Sequence, residues 1–211
     1  MKKKAEREKY IILEEFKALL LAARDNDRDY MMLYLTGNLG LRVGELIRLR
    51  RQDFHYKEKY ISIPTLKQET KVGSSKGTIK QGELPKKYID IPLDEGMTEK
   101  IKEYIINHRI MGWLFLDNEK VRGAARAKRS HVPDWKAKRI FKKYARKAKL
   151  NPHYSIHSLR HFKGIETYKQ FKDIRAVMVM LRHRSPRSSY VYTTMDLEGK
   201  RTLIKDMKVI E

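Results

Sequence analysis

Residues 155–161 read Ser-Ile-His-Ser-Leu-Arg-His, and no other stretch of the chain bears more on its interpretation. Serine is favoured at helix N-caps, so Ser155 predicts a helix that begins directly after it and carries His157 and Arg160. A guanidinium can bind two oxygens of a phosphate and stays charged at any working pH. An imidazole can donate to the same oxygens or transfer a proton near neutral pH. The stretch therefore indicates chemistry on a phosphate group.

Three further segments contain residue types suited to the same chemistry. Residues 40–46 read Gly-Leu-Arg-Val-Gly-Glu-Leu, residues 181–185 read Leu-Arg-His-Arg-Ser, and residues 189–193 read Ser-Tyr-Val-Tyr-Thr. Together with residues 155–161 they supply arginines, histidines and tyrosines, from which two guanidiniums and two imidazoles could act on one phosphate and a tyrosine hydroxyl could act as an oxygen nucleophile. The set is typical of phosphoryl transfer through a phosphotyrosine.

Other kinds of catalytic or metal site find little support in the sequence. The chain has no cysteine, which excludes disulfides, thiolate zinc sites and cysteine nucleophiles, and it has neither a phosphate-binding P-loop nor a His-Glu-x-x-His motif. His153, His157 and His161 are four residues apart, but no Asp or Glu lies in the same turns to complete a metal site. We therefore expect no metal and no cofactor.

The charge of the chain predicts a polyanionic partner. The 211 residues include 48 Lys and Arg against 26 Asp and Glu, a net charge of +22. Half of this excess lies in residues 119–149, which hold 13 basic and 2 acidic residues. Such a block is expected to follow the phosphates of a nucleic acid. A helix over 135–150 has an apolar face and a basic face, and its expected nucleic-acid contacts are Lys136, Lys138, Arg139, Lys142, Lys143 and Arg146.

The hydrophobic pattern predicts an α+β fold that is mostly α-helical, with helices around a small antiparallel sheet or hairpin. Helices are predicted over 11–23, 30–38, 43–50, 98–110, 135–150 and 171–181, besides the one after Ser155, and Gly40 is predicted to cap the second. Strands are predicted over 59–63 and 87–91, separated by a polar stretch, 67–83, that forms either a long hairpin tip or a tip with an extra strand near 78–79. Without a linker or repeat, residues 1–211 are predicted to form one domain.

No apolar run approaches the roughly 18 residues of a membrane span, and residues 1–4 are not followed by a signal-peptide core. We therefore expect a protein that is not secreted, in the cytoplasm with the nucleoid or in a virus-infected host cell. Only 5 Asn and 4 Gln occur, a scarcity found in thermophile proteins, and this favours a thermophilic archaeal or viral source.

The four segments resemble the tyrosine recombinase, or phage-type integrase, family. Its catalytic domain carries G-L-R-x-x-E-L, H-x-L-R-H, L-G-H and a tyrosine nine residues after that last histidine, and the resemblance covers residues 10–195. It implies that Arg42 and Arg160 clamp the scissile phosphate and that His157 and His183 donate to it or manage protons. Tyr192, nine residues after His183, is implied as the nucleophile.

The resemblance also implies supporting groups. Glu45 is expected to orient its neighbours, and His161 is expected to be structural rather than catalytic. The family uses a hairpin lysine as general acid to the leaving 5′-hydroxyl, and Lys67 has the best-matching position. Lys71 and Lys76 remain alternatives, since all three lie in the same charged stretch.

Two departures from the family pattern are visible. Arg182 stands where the L-G-H motif has glycine, which is expected to reshape the turn before His183. Residues 161–165 read His-Phe-Lys-Gly-Ile where H-T-x-A-T is usual, and we expect this to change packing rather than chemistry.

The function implied by the resemblance is that of a site-specific recombinase catalytic domain. It would cleave and rejoin DNA without metal, through a 3′-phosphotyrosyl intermediate, as a homo-oligomer on DNA that we expect to be a tetramer. Residues 1–9 are expected to form a basic extension and residues 195–211 a tail helix. The N-terminal core-binding domain of the family is expected to be absent, either through truncation or because the enzyme is naturally minimal. The alternatives are a non-catalytic basic DNA-binding module and a type IB topoisomerase-like enzyme that relaxes DNA.

Overall fold

The structure, a computed structural model, describes residues 10–64, 88–117, 130–183 and 185–192. Several predicted features lie outside the described residues: Lys67 with its alternatives Lys71 and Lys76, the hairpin tip at 67–83, the extension at 1–9, the tail helix at 195–211, and the part of the basic block at 119–129.

Three helices form the first part of the chain: α1 (Leu13–Ala23), α2 (Asp27–Leu39) and α3 (Val43–Ile47). The Asn26 side chain accepts a hydrogen bond from the Asp29 backbone amide, so α2 begins three residues before its predicted start. It ends at Gly40 in the left-handed conformation, which confirms the predicted cap. The third helix ends three residues before its predicted end, and Arg50 pairs instead with Trp113 in an isolated β-bridge.

A three-stranded antiparallel sheet follows, in the order β1 (Phe54–His55), β2 (Tyr60–Pro64), β3 (Tyr88–Pro92). The longer strands are the two that the alternating pattern predicts, each displaced by one residue. Ile61 pairs with Ile91 and Ile63 with Ile89, and the side chains of Ile61 and Ile63 are fully buried. β1 is only two residues long, too short to produce a recognisable alternation.

The elements that follow the sheet are helices: α4 (Glu95–Asn107), α5 (Asp134–Lys147), α6 (Ile156–Phe171) and α7 (Ile174–Leu181). Two 3-10 turns come last, at Pro186–Ser188 and Tyr190–Tyr192. The helix predicted after Ser155 is confirmed. The single helix predicted over 171–181 is wrong at its start, because Phe171 ends α6 and Lys172 adopts a left-handed φ of 51°. The Asp173 side chain then caps α7 by accepting from the amide of Arg175.

Close packing between α1, α2 and α6 builds the part of the core that supports the site. The rings of Phe16 and Phe162 lie 4.9 Å apart, and a Cβ at Gly37 would come within 2.3 Å of the Phe16 ring. Helix α7 also packs against α6, and its last residue, Leu181, lies at Arg160 and Gly164. The end of α2, the first turns of α6 and the end of α7 consequently meet.

None of the helices in the described ranges is long and apolar enough to cross a membrane.

Candidate active site

Hydrogen bonds to the carbonyl oxygen of Gly40 connect the end of α2 with α6 and with the end of α7. This oxygen accepts hydrogen bonds from the guanidinium of Arg160, on α6, and from Nη2 of Arg182, after α7, the latter at 2.9 Å. Gly40 has a φ of 58°, and a Cβ there would lie 2.5 Å from Cδ2 of Leu181. Both the backbone conformation and the close approach therefore require glycine.

Arg42 and Glu45 form the first charged pair of the site. Nη1 of Arg42 donates to Oε1 of Glu45 at 2.6 Å, and the Arg42 backbone amide donates to Oε2 at 2.9 Å. Burial opposes ionisation of Glu45, but the guanidiniums of Arg182 and Arg42 together hold its pKa below the usual value. Glu45 is therefore a carboxylate, as its predicted supporting role requires. The Arg42 side chain is 33% exposed, which leaves part of its guanidinium open to a ligand.

Arg160 is the second guanidinium and is only 2% exposed. It donates to the carbonyl oxygens of Gly40 and Leu181, one from each terminal nitrogen. Burial lowers its pKa, but an arginine keeps its proton in a protein. With Arg182 nearby, three guanidiniums face one carboxylate, so the site has an excess of about two positive charges and will attract an anion such as phosphate.

Tyr192 is buried beside these groups. Its side chain is 7% exposed, whereas Tyr190 is 58% exposed, so the two tyrosines lie on different sides of the 3-10 turn. The Tyr192 hydroxyl lies 3.0 Å from Nδ1 of His161. Burial raises the pKa of Tyr192, against the opposing effect of Arg160 and Arg42. The phenol is therefore neutral at physiological pH and must lose its proton if it reacts as a nucleophile.

Three imidazole rings lie near Tyr192: that of His161, beside its hydroxyl, and those of His183 and His157. The His183 ring lies nearly parallel to that of Tyr192 at 6.2 Å, and the His157 ring meets that of His161 edge-on at 4.7 Å. Burial lowers the pKa of all three, and the guanidiniums Arg160, Arg42 and Arg182 help to lower that of His183 to about 4. All three rings are therefore neutral at pH 7 in the DNA-free protein and able to accept a proton.

The structure thus brings together Arg42, Glu45, His157, Arg160, His161, His183 and Tyr192, which are the predicted site residues within the described ranges. Sequence reasoning missed two others. Ser189, fully buried, lies 2.7 Å through its Oγ from Nδ1 of His183; it opens the segment 189–193, but no role was predicted for it. Arg182 was visible only as a departure from the family glycine, which gave no indication of where its side chain lies. His161, expected to be structural, is the side chain that contacts the Tyr192 hydroxyl.

The basic face of α5 agrees with prediction except at one position. The side chains of Lys138, Arg139, Lys142, Lys143 and Arg146 are exposed. Lys136 is buried, and its Nζ donates to Asp117 at 2.6 Å, so its charge is neutralised within the chain. The prediction of a DNA contact is wrong at Lys136 because its side chain points into the fold. A DNA-contact role for the other five stays a prediction.

Among the described residues, no three or more His, Asp or Glu side chains lie together so as to hold a metal ion. His153, His157 and His161, four residues apart in sequence, do not form such a group. The charge available to a ligand in this part of the molecule comes from arginine side chains.

The chain is similar in sequence to one family of known proteins. A model of the phage integrase family matches residues 9–198. A protein named tyrosine recombinase XerA from Pyrococcus horikoshii is 26% identical over 193 residues, which cover 91% of this chain and 59% of that protein. A protein of the same name from Pyrococcus furiosus is 25% identical over 202 residues, covering 94% of this chain and 61% of the other. The chain therefore spans about three fifths of the length of these relatives.

Solved structures show the same fold. The crystal structure of XerA recombinase superposes with a TM-score of 0.72 at 21% identity, covering 100% of this chain and 68% of the other. The XerH site-specific recombinase, in a pre-cleavage complex with its difH substrate, gives a TM-score of 0.64 at 19% identity, covering 93% of this chain and 54% of the other. The predicted fold, helices around a small antiparallel sheet, is confirmed.

Proposed function

Since the chain belongs to the phage integrase family, we propose that it is the catalytic part of a site-specific recombinase, which cleaves and rejoins the strands of double-stranded DNA. The names of its relatives support this activity, and so does the solved complex of XerH with its DNA substrate. The observation that carries the proposal is the placement of the Tyr192 hydroxyl against a neutral imidazole and beside the guanidiniums of Arg160 and Arg42.

In the proposed reaction the oxygen of Tyr192 attacks the scissile phosphorus. A bond forms between that oxygen and phosphorus, and the bond from phosphorus to the 5′-oxygen breaks. The products are a 3′-phosphotyrosyl link and a 5′-hydroxyl, and the energy of the broken bond is kept in the new ester. Attack by a 5′-hydroxyl of a partner strand reverses the step and rejoins the DNA.

Two protons must move for this exchange to balance. The phenol proton of Tyr192 passes to Nδ1 of His161, which lies within hydrogen-bond distance and is neutral at pH 7. The departing 5′-oxygen takes a proton from a general acid, and we assign this role to Lys67.

The negative charge of the transition state is balanced by fixed donors. Arg42 has an open edge, and each terminal nitrogen of Arg160 has a second N–H besides the one bound to a backbone carbonyl. His157 and His183 donate to the same oxygens. Preorganised donors of this kind are a large source of catalytic rate, so we propose that the guanidiniums replace the metal ion that other phosphoryl-transfer sites use.

Strand exchange between two duplexes requires several such sites, and we propose a homotetramer assembled on DNA. The exposed basic residues of α5 contact phosphates and position the duplex without reading its bases.

A nicked suicide duplex tests the proposed function. The nick releases a short strand on cleavage and traps the covalent adduct, which a denaturing gel detects. We expect the wild-type protein to form the adduct in excess EDTA and Tyr192→Phe to form none while binding DNA normally. Tyr190→Phe is the matched control, because this exposed tyrosine lies two residues away, and it should react within a few-fold of wild type. DNA binding by the wild type without any adduct would instead identify a non-catalytic DNA-binding module.

A further inference from the structure

Arg182 has a backbone conformation that is unfavourable for its residue type. It ends α7 with a φ of 54°, in the left-handed region where any residue with a Cβ is strained and glycine is favoured. Its side chain is 2% exposed, although arginine is seldom buried without a specific set of partners. A residue that is unfavourable both in its backbone and in its burial must gain from the contacts of its side chain.

The Arg182 side chain has no spare terminal donor for a ligand. Nη1 donates to the carbonyl oxygens of Leu39, at 3.1 Å, and Met180, at 2.9 Å. Nη2 donates to the carbonyl oxygen of Gly40 and to Oε2 of Glu45, each at 2.9 Å. These four hydrogen bonds use all the N–H groups of the two terminal nitrogens. The remaining donor, Nε, has no partner among the described residues but is buried, so Arg182 does not contact the phosphate itself.

Two of its contacts reach Arg42, the most accessible guanidinium of the site. Oε2 of Glu45 binds Arg182 and the backbone amide of Arg42, while Oε1 binds Nη1 of Arg42. On the other side, the carbonyl oxygen of Arg182 accepts from Nη2 of Arg42 at 3.5 Å. Both terminal nitrogens of Arg42 are thus held by groups that Arg182 fixes or provides.

We propose that Arg182 is a positioning residue whose side chain orients the Arg42 guanidinium toward the scissile phosphate by holding Glu45; this rests on the proposed function. Glycine at this position would relieve the backbone strain but leave one carboxylate oxygen of the buried Glu45 with a single partner. Arg42 would then sample several orientations, and catalysis would suffer because a charge-stabilising donor acts only when it is aimed in advance.

The direct test compares Arg182→Gly with Arg109→Gly. Arg109 is the matched control, since it is also an arginine with a left-handed φ, 47°, after a helix, but its side chain is exposed. Two quantities are measured: the Kd for the recombination-site duplex and the single-turnover rate of adduct formation. For Arg182→Gly we expect a Kd within about threefold of wild type and a rate at least tenfold lower. Arg109→Gly should change neither. An Arg182→Gly rate within twofold of wild type overturns the proposal.

A double-mutant cycle separates positioning from a general loss of structure. If Arg182 acts through Glu45, the rate loss of Arg182→Gly combined with Glu45→Gln will be smaller than the product of the two single losses. Losses that multiply independently overturn the assignment. If Arg182→Gly does not fold, Arg182→Lys carries the same comparison, because lysine keeps the charge but cannot make the paired contacts.

A measurement without DNA keeps this inference independent of the proposed function. In an NMR spectrum of ¹⁵N-labelled protein, the guanidinium signal of Arg42 is identified by its absence in Arg42→Lys. We expect that signal to shift and broaden in Arg182→Gly, or in Arg182→Lys, and to stay unchanged in Arg109→Gly. An unchanged Arg42 signal overturns the inference even if the variant cleaves slowly. A wild-type protein that forms no adduct overturns the proposed function, and the NMR result then decides the positioning role alone.

Discussion

Gly164 packs against the Tyr192 ring, and a methyl group added at Gly164 should displace the proposed nucleophile. A Cβ at Gly164 would lie 2.7 Å from Cε1 and 2.8 Å from Cζ of Tyr192, and 2.8 Å from Cδ1 of Leu181. Ordinary contact begins at 3.4 Å, so the ring edge that carries the hydroxyl must move by about 0.7 Å. Because a misplacement of about 1 Å can cost on the order of a hundredfold in rate, we expect Gly164→Ala to slow adduct formation by about 10- to 100-fold.

The assay is single-turnover cleavage of the nicked duplex, with Kd measured in parallel and expected to stay unchanged. Gly96→Ala is the control, as Gly96 also lies in a helix, α4, and the nearest atom to its added Cβ is Oδ1 of Asp94 at 3.4 Å. Alanine in place of a helical glycine gains about 0.5–1 kcal/mol of stability, but over-packing can cost about 1–3 kcal/mol, so urea unfolding of Gly164→Ala is measured beside the rate, under conditions where the variant is fully folded.

Alanine is the usual residue of the family at the position of Gly164, so the predicted clash depends on where this chain places Tyr192. If Gly164→Ala cleaves at the wild-type rate, Tyr192 does not react from its observed position against His161, and the assignment of His161 as proton acceptor is wrong.

Three further predictions follow from the charges of the site and its surroundings. If the five exposed basic residues of α5 each contact a phosphate, log affinity should fall with log salt at a slope of about −4.5, and a slope near −1 would exclude such contacts. Lys67→Ala should cleave a normal phosphodiester slowly but recover on a substrate with a 5′-bridging sulfur, which leaves without a proton; rescue of Lys71→Ala or Lys76→Ala in its place would move the general acid to that lysine. His183 has a pKa of about 4 in the folded protein against about 6.5 unfolded, so the unfolded state binds more protons between these values and the free energy of unfolding should decrease as pH falls from 7 to 4. Urea unfolding at several pH values should show a weaker decrease in His183→Gln, and equal decreases in both proteins would contradict the assigned pKa.

The features that could be predicted from sequence are those fixed by residue type and local spacing. Ser155 marks the start of α6, where its backbone amide donates to the Ser158 side chain, because such a cap is a local interaction. The family interval from His183 points to Tyr192 rather than Tyr190 as the nucleophile, a role that stays a prediction. The Ile-x-Ile pattern of β2 likewise predicts which side chains of that strand are buried.

The features that could not be predicted depend on contacts between distant segments. A long side chain such as Arg182 at a helix end is usually solvated, and its burial here depends on carbonyl groups more than 140 residues earlier in the chain. The choice of His161 as the partner of Tyr192 depends in the same way on how α6 packs against the last turn. The early end of α3 reflects the β-bridge between Arg50 and Trp113, a pairing across 63 residues that no local pattern reveals.

The hydrogen bonds to the Gly40 carbonyl oxygen have a consequence for when the site forms during protein synthesis. The two guanidinium partners of this oxygen lie 120 and 142 residues later in the chain. During synthesis Arg42 and Glu45 leave the ribosome long before Arg160, Arg182 and Tyr192, so the guanidiniums and the tyrosine come together only when α6 and α7 dock on α2. A nascent or partly folded chain would already expose basic residues that adhere to DNA, yet it would hold no aligned nucleophile. Under the proposed function, DNA cleavage would therefore require that the turn holding Tyr192 has been synthesised and has docked.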